Sequence, residues 1–304
     1  MRRSGRLSAP LNADVSRHTI PSPRSAVNPI QDYREFYANF IVKSAGSSSQ
    51  SLIAAFSSTE REHYVGAGPW PIFVGKGWYI PTLSDDPRLL YQDVLVGLAT
   101  DRGINNGQPT LHARCLAACS PMPGESVVHI GAGTGYYTAV LAALVGFTGS
   151  VVAYEIEADL AQRARENLKH LSNVHVVAAS ASDGALPSAH VIYVNAGATH
   201  PLSSWLDALN LGGRLILPLT PNEGFGGMLL VTRRTARSYA ASIVDRVSFI
   251  PCIGARDDAT SKALSTALET QSTKSVKSLR RGTMPDGTAW CVGAGWWLST
   301  AEPE

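Results

Sequence analysis

The sequence predicts an α/β protein: a mostly parallel sheet flanked by helices, with a helical N-terminal lead-in and a β-rich C-terminal extension. Three observations carry this. Between Glu125 and Pro218 short apolar runs alternate with segments of helical spacing, and a glycine-rich turn closes the first run. Beyond Met228, apolar and polar residues alternate with few helical gaps, as antiparallel strands do. With 304 residues, 44% of them hydrophobic, the chain can bury one large core or two modest ones.

Residues 1–28 hold five Arg, five Ser, three Pro and a single acidic residue, Asp14, without apolar periodicity. That composition predicts a disordered basic tail. It also matches the Arg- and Ser-rich, acid-poor character of an organelle transit peptide, and it lacks the apolar stretch of a secretory signal. Residues 29–120 read as a helical and loop-rich lead-in that packs on the core. There, Tyr33, Phe36, Tyr37, Phe40 and Ile41 recur at i, i+3, i+4, i+7 and i+8 and predict one apolar helix face. A second helix is expected over Leu52–Arg61, an irregular stretch over Gly66–Pro71, a helical segment over Leu89–Leu98, and a helix starting after Pro109.

Residues 121–237 form the expected core. Strands are predicted at Val127–Ile130, Val151–Tyr154, Val174–Ala178, Val191–Val194 and Arg214–Pro218, with helices through Tyr137–Val145 and over Ala158–Leu171. Strands alternating with helices imply a parallel sheet covered on both faces. Further strands are expected at Met228–Arg233 and, in the extension 238–304, at Ser242–Ile250, Ser275–Leu279 and Trp290–Leu298.

The strongest motif is Val127-Val128-His129-Ile130-Gly131-Ala132-Gly133-Thr134-Gly135. A strand feeds a tight turn of bare backbone and then a helix, a Rossmann-like arrangement that lets a ligand lie against the chain. Glu155 ends the next strand, 20 residues beyond Gly135, where a carboxylate can accept from both hydroxyls of a ribose. The third glycine comes one residue too early for the dinucleotide pattern Gly-x-Gly-x-x-Gly, which serves a pyrophosphate. S-adenosylmethionine has no phosphate and needs only the close backbone approach. Asp183-Gly184, after the third strand, reads either as an acceptor for the adenine amino group or as a surface turn. Asn195 follows the fourth strand and joins the expected cofactor-binding set.

From about Leu52 to Arg234 the chain resembles the protein-L-isoaspartate O-methyltransferases, members of the class I S-adenosylmethionine-dependent methyltransferases. The resemblance rests on Arg61-Glu62-His63-Tyr64-Val65, Tyr91-Gln92-Asp93, Gln108-Pro109-Thr110-Leu111-His112-Ala113, the Gly131–Gly135 turn, and Gly212-Gly213-Arg214-Leu215-Ile216-Leu217-Pro218. It implies that His112 lies against the cofactor, that Gly131, Gly133 and Gly135 cradle its methionine part, that Glu155 takes the ribose, and that Asp183-Gly184 takes the adenine. The alternative for His112 is a satisfied histidine within a helix. Where the family carries a serine two residues ahead of the proline, this chain has Gly107. Asn105 and Asn106 could then donate to a carboxylate, and Gly107 would expose its backbone N–H. These three residues are the expected acceptor-side, catalytic set.

A carboxylate acceptor is already ionised at pH 7 and needs no general base, so the lack of acid–base pairs fits. The resemblance implies O-methylation of a carboxylate on a protein or peptide, of the isoaspartyl type. The alternatives are a different carboxylate, in a modified peptide or a small molecule, and a non-catalytic scaffold that keeps the cofactor fold. The net charge of +2 gives no whole-chain drive towards nucleic acid. No apolar run approaches the ~20 residues of a membrane span. Cys115, Cys119, Cys252 and Cys291 are too scattered for a disulfide framework, which suggests a cytoplasmic setting. His112, Cys115 and Cys119 share a helical face, but without a clear fourth ligand no metal is expected. Trp290, Trp296 and Trp297 read as core packing, or else as a peptide-recognition surface.

Overall fold

The structure, a computed structural model, describes residues 29–304; the basic tail expected over 1–28 lies outside the described residues. Three helices come first among the described residues: α1 (Pro29–Ser44), α2 (Gln50–Ser58) and α3 (Arg61–Val65). The second expected helix thus divides at Thr59 and Glu60, where Thr59 caps back onto the Ala55 carbonyl at 2.7 Å. A hairpin follows, β1 (Pro71–Gly75) and β2 (Trp78–Pro81), closed by Lys76-Gly77. Both turn residues have positive φ, 50° and 79°, the twist a two-residue hairpin loop favours. The helix expected over Leu89–Leu98 is absent. Only a 3-10 turn at Pro87–Leu90 forms, and the chain then runs into the short pair β3 (Gly97–Ala99) and β4 (Ile104–Asn105). Helix α4 (Pro109–Cys119) starts at Pro109, as expected from a proline pre-set for a first helical turn.

The remaining strands make a single ten-stranded sheet. The parallel half holds β5 (Ser126–Ile130), β6 (Ser150–Glu155), β7 (Val174–Ala178), β8 (Ala189–Val194) and β9 (Leu209–Leu219), in the order β7-β6-β5-β8-β9. Helices α5 (Tyr136–Val145), α6 (Ala158–Leu168) and α7 (Ser203–Ala208) connect them. The antiparallel half continues through β10 (Gly226–Arg233), β11 (Tyr239–Val247), β12 (Ser278–Arg281), β14 (Trp296–Ser299) and β13 (Ala289–Gly293). The sheet is therefore mixed, which corrects the expectation of a mostly parallel one. The β-rich C-terminal segment adds its strands edge-on to the same sheet, because β10 pairs antiparallel with both β9 and β11. Helix α8 (Asp258–Thr270), between β11 and β12, was not expected.

Side chains of the central strands alternate between two cores. Val127, Val191, Tyr193 and Ile216 face the core built with α1, α2, α4 and α5. Val128, Ile192, Leu215 and Leu217 face the other, which holds Trp205, Trp290 and Trp296. Trp290, Trp296 and Trp297 are all buried, so none of them offers a surface. In α1 the buried stripe is Arg34, Tyr37, Ala38, Ile41 and Val42, whereas Tyr33, Phe36 and Phe40 are exposed at 46%, 71% and 50%. The expected stripe thus splits between two faces. Arg34 belongs to the buried face because it donates to Tyr91, Glu60 and Glu62.

Candidate active site

The carboxyl ends of β5, β6 and β8 meet at one edge of the parallel half, where the strand order reverses, the usual place for a ligand in such a sheet. A cavity of about 830 Å³ opens there. Gly131, Gly133, Glu155 and Asn195 line one side, Asn105 to Gln108 and His112 another, and Arg246 to Ile253 a third. The volume falls in the range of small-molecule and cofactor sites.

The glycine turn faces the cavity at two of its three positions. Gly131 and Gly133 have φ of 77° and 57° and line the cavity, so bare backbone faces it. Gly135 does not line it. A Cβ there would meet Leu168 Cδ1 at 2.7 Å, so this glycine lets α6 lie close to the turn rather than touching a ligand. Glu155 is buried, and its two oxygens accept from the Gly133 N–H at 2.6 Å and the Glu157 N–H at 3.0 Å. Burial raises its pKa despite these bonds. Beside it Ile156, 43% exposed, puts an apolar side chain on the cavity rim. Asp183 and Gly184 are exposed and lie outside the lining; Ala181 and Ser182 occupy that wall instead. A bare glycine cradle, a strand-end carboxylate and an adjacent apolar side chain suit a cofactor with an amino-acid end, a ribose and a flat base.

His112 is buried, with its ring stacked on Tyr137 at 3.6 Å between centroids and Nδ1 2.9 Å from the Tyr193 hydroxyl. Burial pushes its pKa down to about 3, with His129 and Arg61 adding to the effect, so the ring is neutral at physiological pH. It lines the cavity, and Tyr193 and Tyr137 satisfy its ring within the core. Gly107, φ 72°, sits against it: an added Cβ would lie 2.3 Å from His112 Nε2. The residue type at 107 is therefore set by the histidine ring. The Gly107 N–H donates to Asn105 Oδ1 at 2.9 Å, which corrects the expectation of a free backbone donor there. Asn106 is buried, its Oδ1 accepting from the Val96 N–H at 2.9 Å, while its Nδ2 has no partner. Behind it the fully buried Arg61 donates to the Leu90, Gln92 and Val94 carbonyls and reaches Asn106 Oδ1 at 3.4 Å. That brace holds the loop, and Asn106 is among the residues that line the cavity.

One contact was missed in the sequence. His129, wholly buried within β5, stands between Thr138 Oγ1 at 2.8 Å and Asn195 Nδ2 at 2.8 Å. Burial lowers its pKa to about 3, so the Asn195 amide donates to a neutral ring, and Asn195 also lines the cavity. The signal was present: a lone histidine in an otherwise apolar strand must find partners. The helical set His112, Cys115 and Cys119 does not gather ligands. Among the described residues no group of three or more His, Cys, Asp or Glu could hold a metal. Both cysteines are buried, which raises their thiol pKa values.

The model of the protein-L-isoaspartate(D-aspartate) O-methyltransferase family matches residues 79–257, more than half of the chain. The chain belongs to that family. It is thereby an S-adenosylmethionine-dependent O-methyltransferase, which sets aside the reading as a non-catalytic scaffold. It is 31% identical to a protein-L-isoaspartate O-methyltransferase of Ignicoccus hospitalis over 170 residues, 55% of this chain and 79% of that protein. With one from Geotalea uraniireducens it shares 28% over 233 residues, 75% and 96% of the two chains. A solved protein-L-isoaspartate O-methyltransferase superposes with a TM-score of 0.62 at 23% identity, over 78% of this chain and 69% of that one. A second, from Plasmodium falciparum in complex with S-adenosyl-L-homocysteine, gives 0.59 at 17%, over 73% and 98%. At those identities the two structures speak for the fold. The family match ends at residue 257, so β12 to β14 and α8 lie beyond it. Among the described residues no helix is long and apolar enough to cross a membrane.

Proposed function

We propose that this protein methylates the free carboxylate of isoaspartyl residues in proteins or peptides, and that the acceptor meets the cofactor in the cavity at the carboxyl edge of β5, β6 and β8. The observation that carries the reading is that one cavity joins the glycine cradle at Gly131 and Gly133 to Asn106, whose buried amide donor has no partner. A buried donor without a partner costs about 1–3 kcal/mol, and an acceptor carboxylate would remove that cost.

In this reading the Gly131 and Gly133 backbone and Asn195 hold the amino-acid end of S-adenosylmethionine, and Glu155 takes the ribose hydroxyls. Ile156 and the Ala181–Ser182 wall flank the base, with Asp183-Gly184 contributing only if that loop shifts inward. When bound, the cofactor supplies an electrophilic sulfonium methyl. The chain's own work is positioning: Asn106, and Asn105 through its own amide, fix the carboxylate oxygens, and neutral His112 closes the floor without competing for the charge. The stacked Tyr137 and His112 keep water from the nucleophile. A cytoplasmic setting goes with a substrate class of ageing intracellular proteins.

The test is methyl transfer from labelled S-adenosylmethionine to an isoaspartyl peptide and to its normal-aspartyl twin. Methylation of the isoaspartyl peptide alone is expected. Equal methylation of both, or of neither, would overturn the isoaspartyl reading.

A further inference from the structure

The cavity is lined by two carboxylates, Glu155 and Glu157, both at the β6 end. Its lining contains a single Lys or Arg among the described residues: Arg246, on the wall contributed by the end of β11. The Arg246 guanidinium lies over the Phe225 ring, 4.4 Å from its centroid. Its backbone N–H donates to Asp245 Oδ1, but among the described residues no carboxylate bonds to its side chain. Asp245 itself is taken by Arg114 on α4. Glu223 and Glu269 share an adjoining groove with Arg246, and neither hydrogen-bonds to it. A cation–π contact orients a guanidinium while leaving its in-plane donors open. Phe225 therefore holds a fork of N–H donors at the rim of a cavity whose other charged lining residues are Glu155 and Glu157, the latter paired with Arg102.

We propose that Arg246 is the charge-selective anchor of the acceptor: it draws the isoaspartyl carboxylate into the cavity and orients it before Asn106 receives it. This rests on the isoaspartyl reading above. With Gly107 in place of the serine of the family pattern, the Asn105–Gln108 wall offers amide donors only, and Arg246 supplies a charged donor from another wall of the same cavity. Because it acts on a ground-state anion, its contribution falls on substrate capture more than on turnover.

The experiment uses a C-terminally amidated peptide in which the isoaspartyl carboxylate is the sole acid. Binding to the full chain loaded with S-adenosylhomocysteine is measured by calorimetry, and methylation is measured in parallel. Arg246→Gln should raise both the peptide Kd and KM by roughly 10-fold or more, with kcat within about 3-fold. Arg246→Lys should recover part of the loss, and S-adenosylhomocysteine affinity should be unchanged. The wild-type KM should rise with added salt, and that of Arg246→Gln should respond less. An unchanged Kd and KM in Arg246→Gln would overturn the inference while the isoaspartyl reading stands. A combined loss of kcat and cofactor affinity would also overturn it, as a structural role. If the wild type binds the peptide through Arg246 without methylating it, the isoaspartyl reading falls, and with it the role of Arg246 as anchor of the acceptor. If it neither binds nor methylates the peptide, both fall.

Discussion

Gly107 lies 2.3 Å, at its would-be Cβ, from His112 Nε2, and its φ of 72° suits few side chains. The two residues are a matched pair, so putting back the serine of the family pattern cannot be a local repair. Gly107→Ser should push the histidine off Tyr137 and lower both stability, by about 1–3 kcal/mol, and methyl-transfer rate. Thermal unfolding and turnover of the variant check this; a gain in turnover on the isoaspartyl peptide would refute it. The wider site was only partly legible. The glycine turn and Glu155 announce themselves through spacing alone. Gly135 could not be told from its neighbours, because its partner Leu168 comes from a helix 33 residues later. The His129–Asn195 contact was hidden for the same reason: it joins two strands that are far apart in sequence and adjacent in space. Arg246 was invisible as a site residue, since nothing local distinguishes it from any arginine at a strand end.

At the scale of single elements, α1 tests how far an apolar pattern can mislead. Five apolar residues at helical spacing fit one stripe, yet the buried face is rotated so that Arg34 lies on it and Phe36 and Phe40 lie off it. The ion pairs and hydrogen bonds of Arg34 to Glu60, Glu62 and Tyr91 fix that rotation, and long-range polar partners leave no periodic signal. Ile41→Ala should cost about 2–5 kcal/mol, because Ile41 is wholly buried. Phe36→Ala should fall within about 0.5 kcal/mol of the parent, because most of the ring is already in water. Denaturant midpoints of the two variants decide it, and a larger loss in Phe36→Ala would mean that the outer aromatic face is covered in solution. Helix α8 escaped notice for a related reason. It buries Thr260, Ser261, Leu264 and Ala267, a face of small and polar residues with little apolar contrast. Its start was nonetheless written in the chain, as Asp257 accepts from the Thr260 N–H at 2.7 Å. The segment Trp290–Leu298 reads as one strand until the Ala294-Gly295 turn, with Gly295 at φ 75°, folds it into the β13–β14 hairpin.

For the molecule as a whole, the sheet is continuous across the boundary expected at residues 237 and 238, which falls in the turn between β10 and β11. The wall from Arg246 to Ile253 comes from beyond that turn. A chain ending at Arg237 should therefore lose cooperative unfolding and S-adenosylhomocysteine binding together, even though it keeps every glycine of the cradle. Thermal melts with and without that ligand test it; retained ligand stabilisation would show that the cavity closes without its third wall. The parallel half was readable because its central strands are apolar on both faces and all but β7 and β8 are separated by helices. The antiparallel half was readable strand by strand, but its union with the first half depends on β9, which pairs parallel with β8 and antiparallel with β10. That dual role has a consequence for the order in which the protein is made. During synthesis the glycine cradle, Glu155 and Asn195 emerge first, and β9, made after them, keeps one open edge until β10 follows. The nascent chain would thus carry a nearly complete cradle beside an unpaired strand. The strand's edge is covered once β10 has emerged, by Arg233, but the cavity gains its third wall only with Arg246–Ile253, which makes ligand capture a later event in the protein's maturation than completion of the cradle.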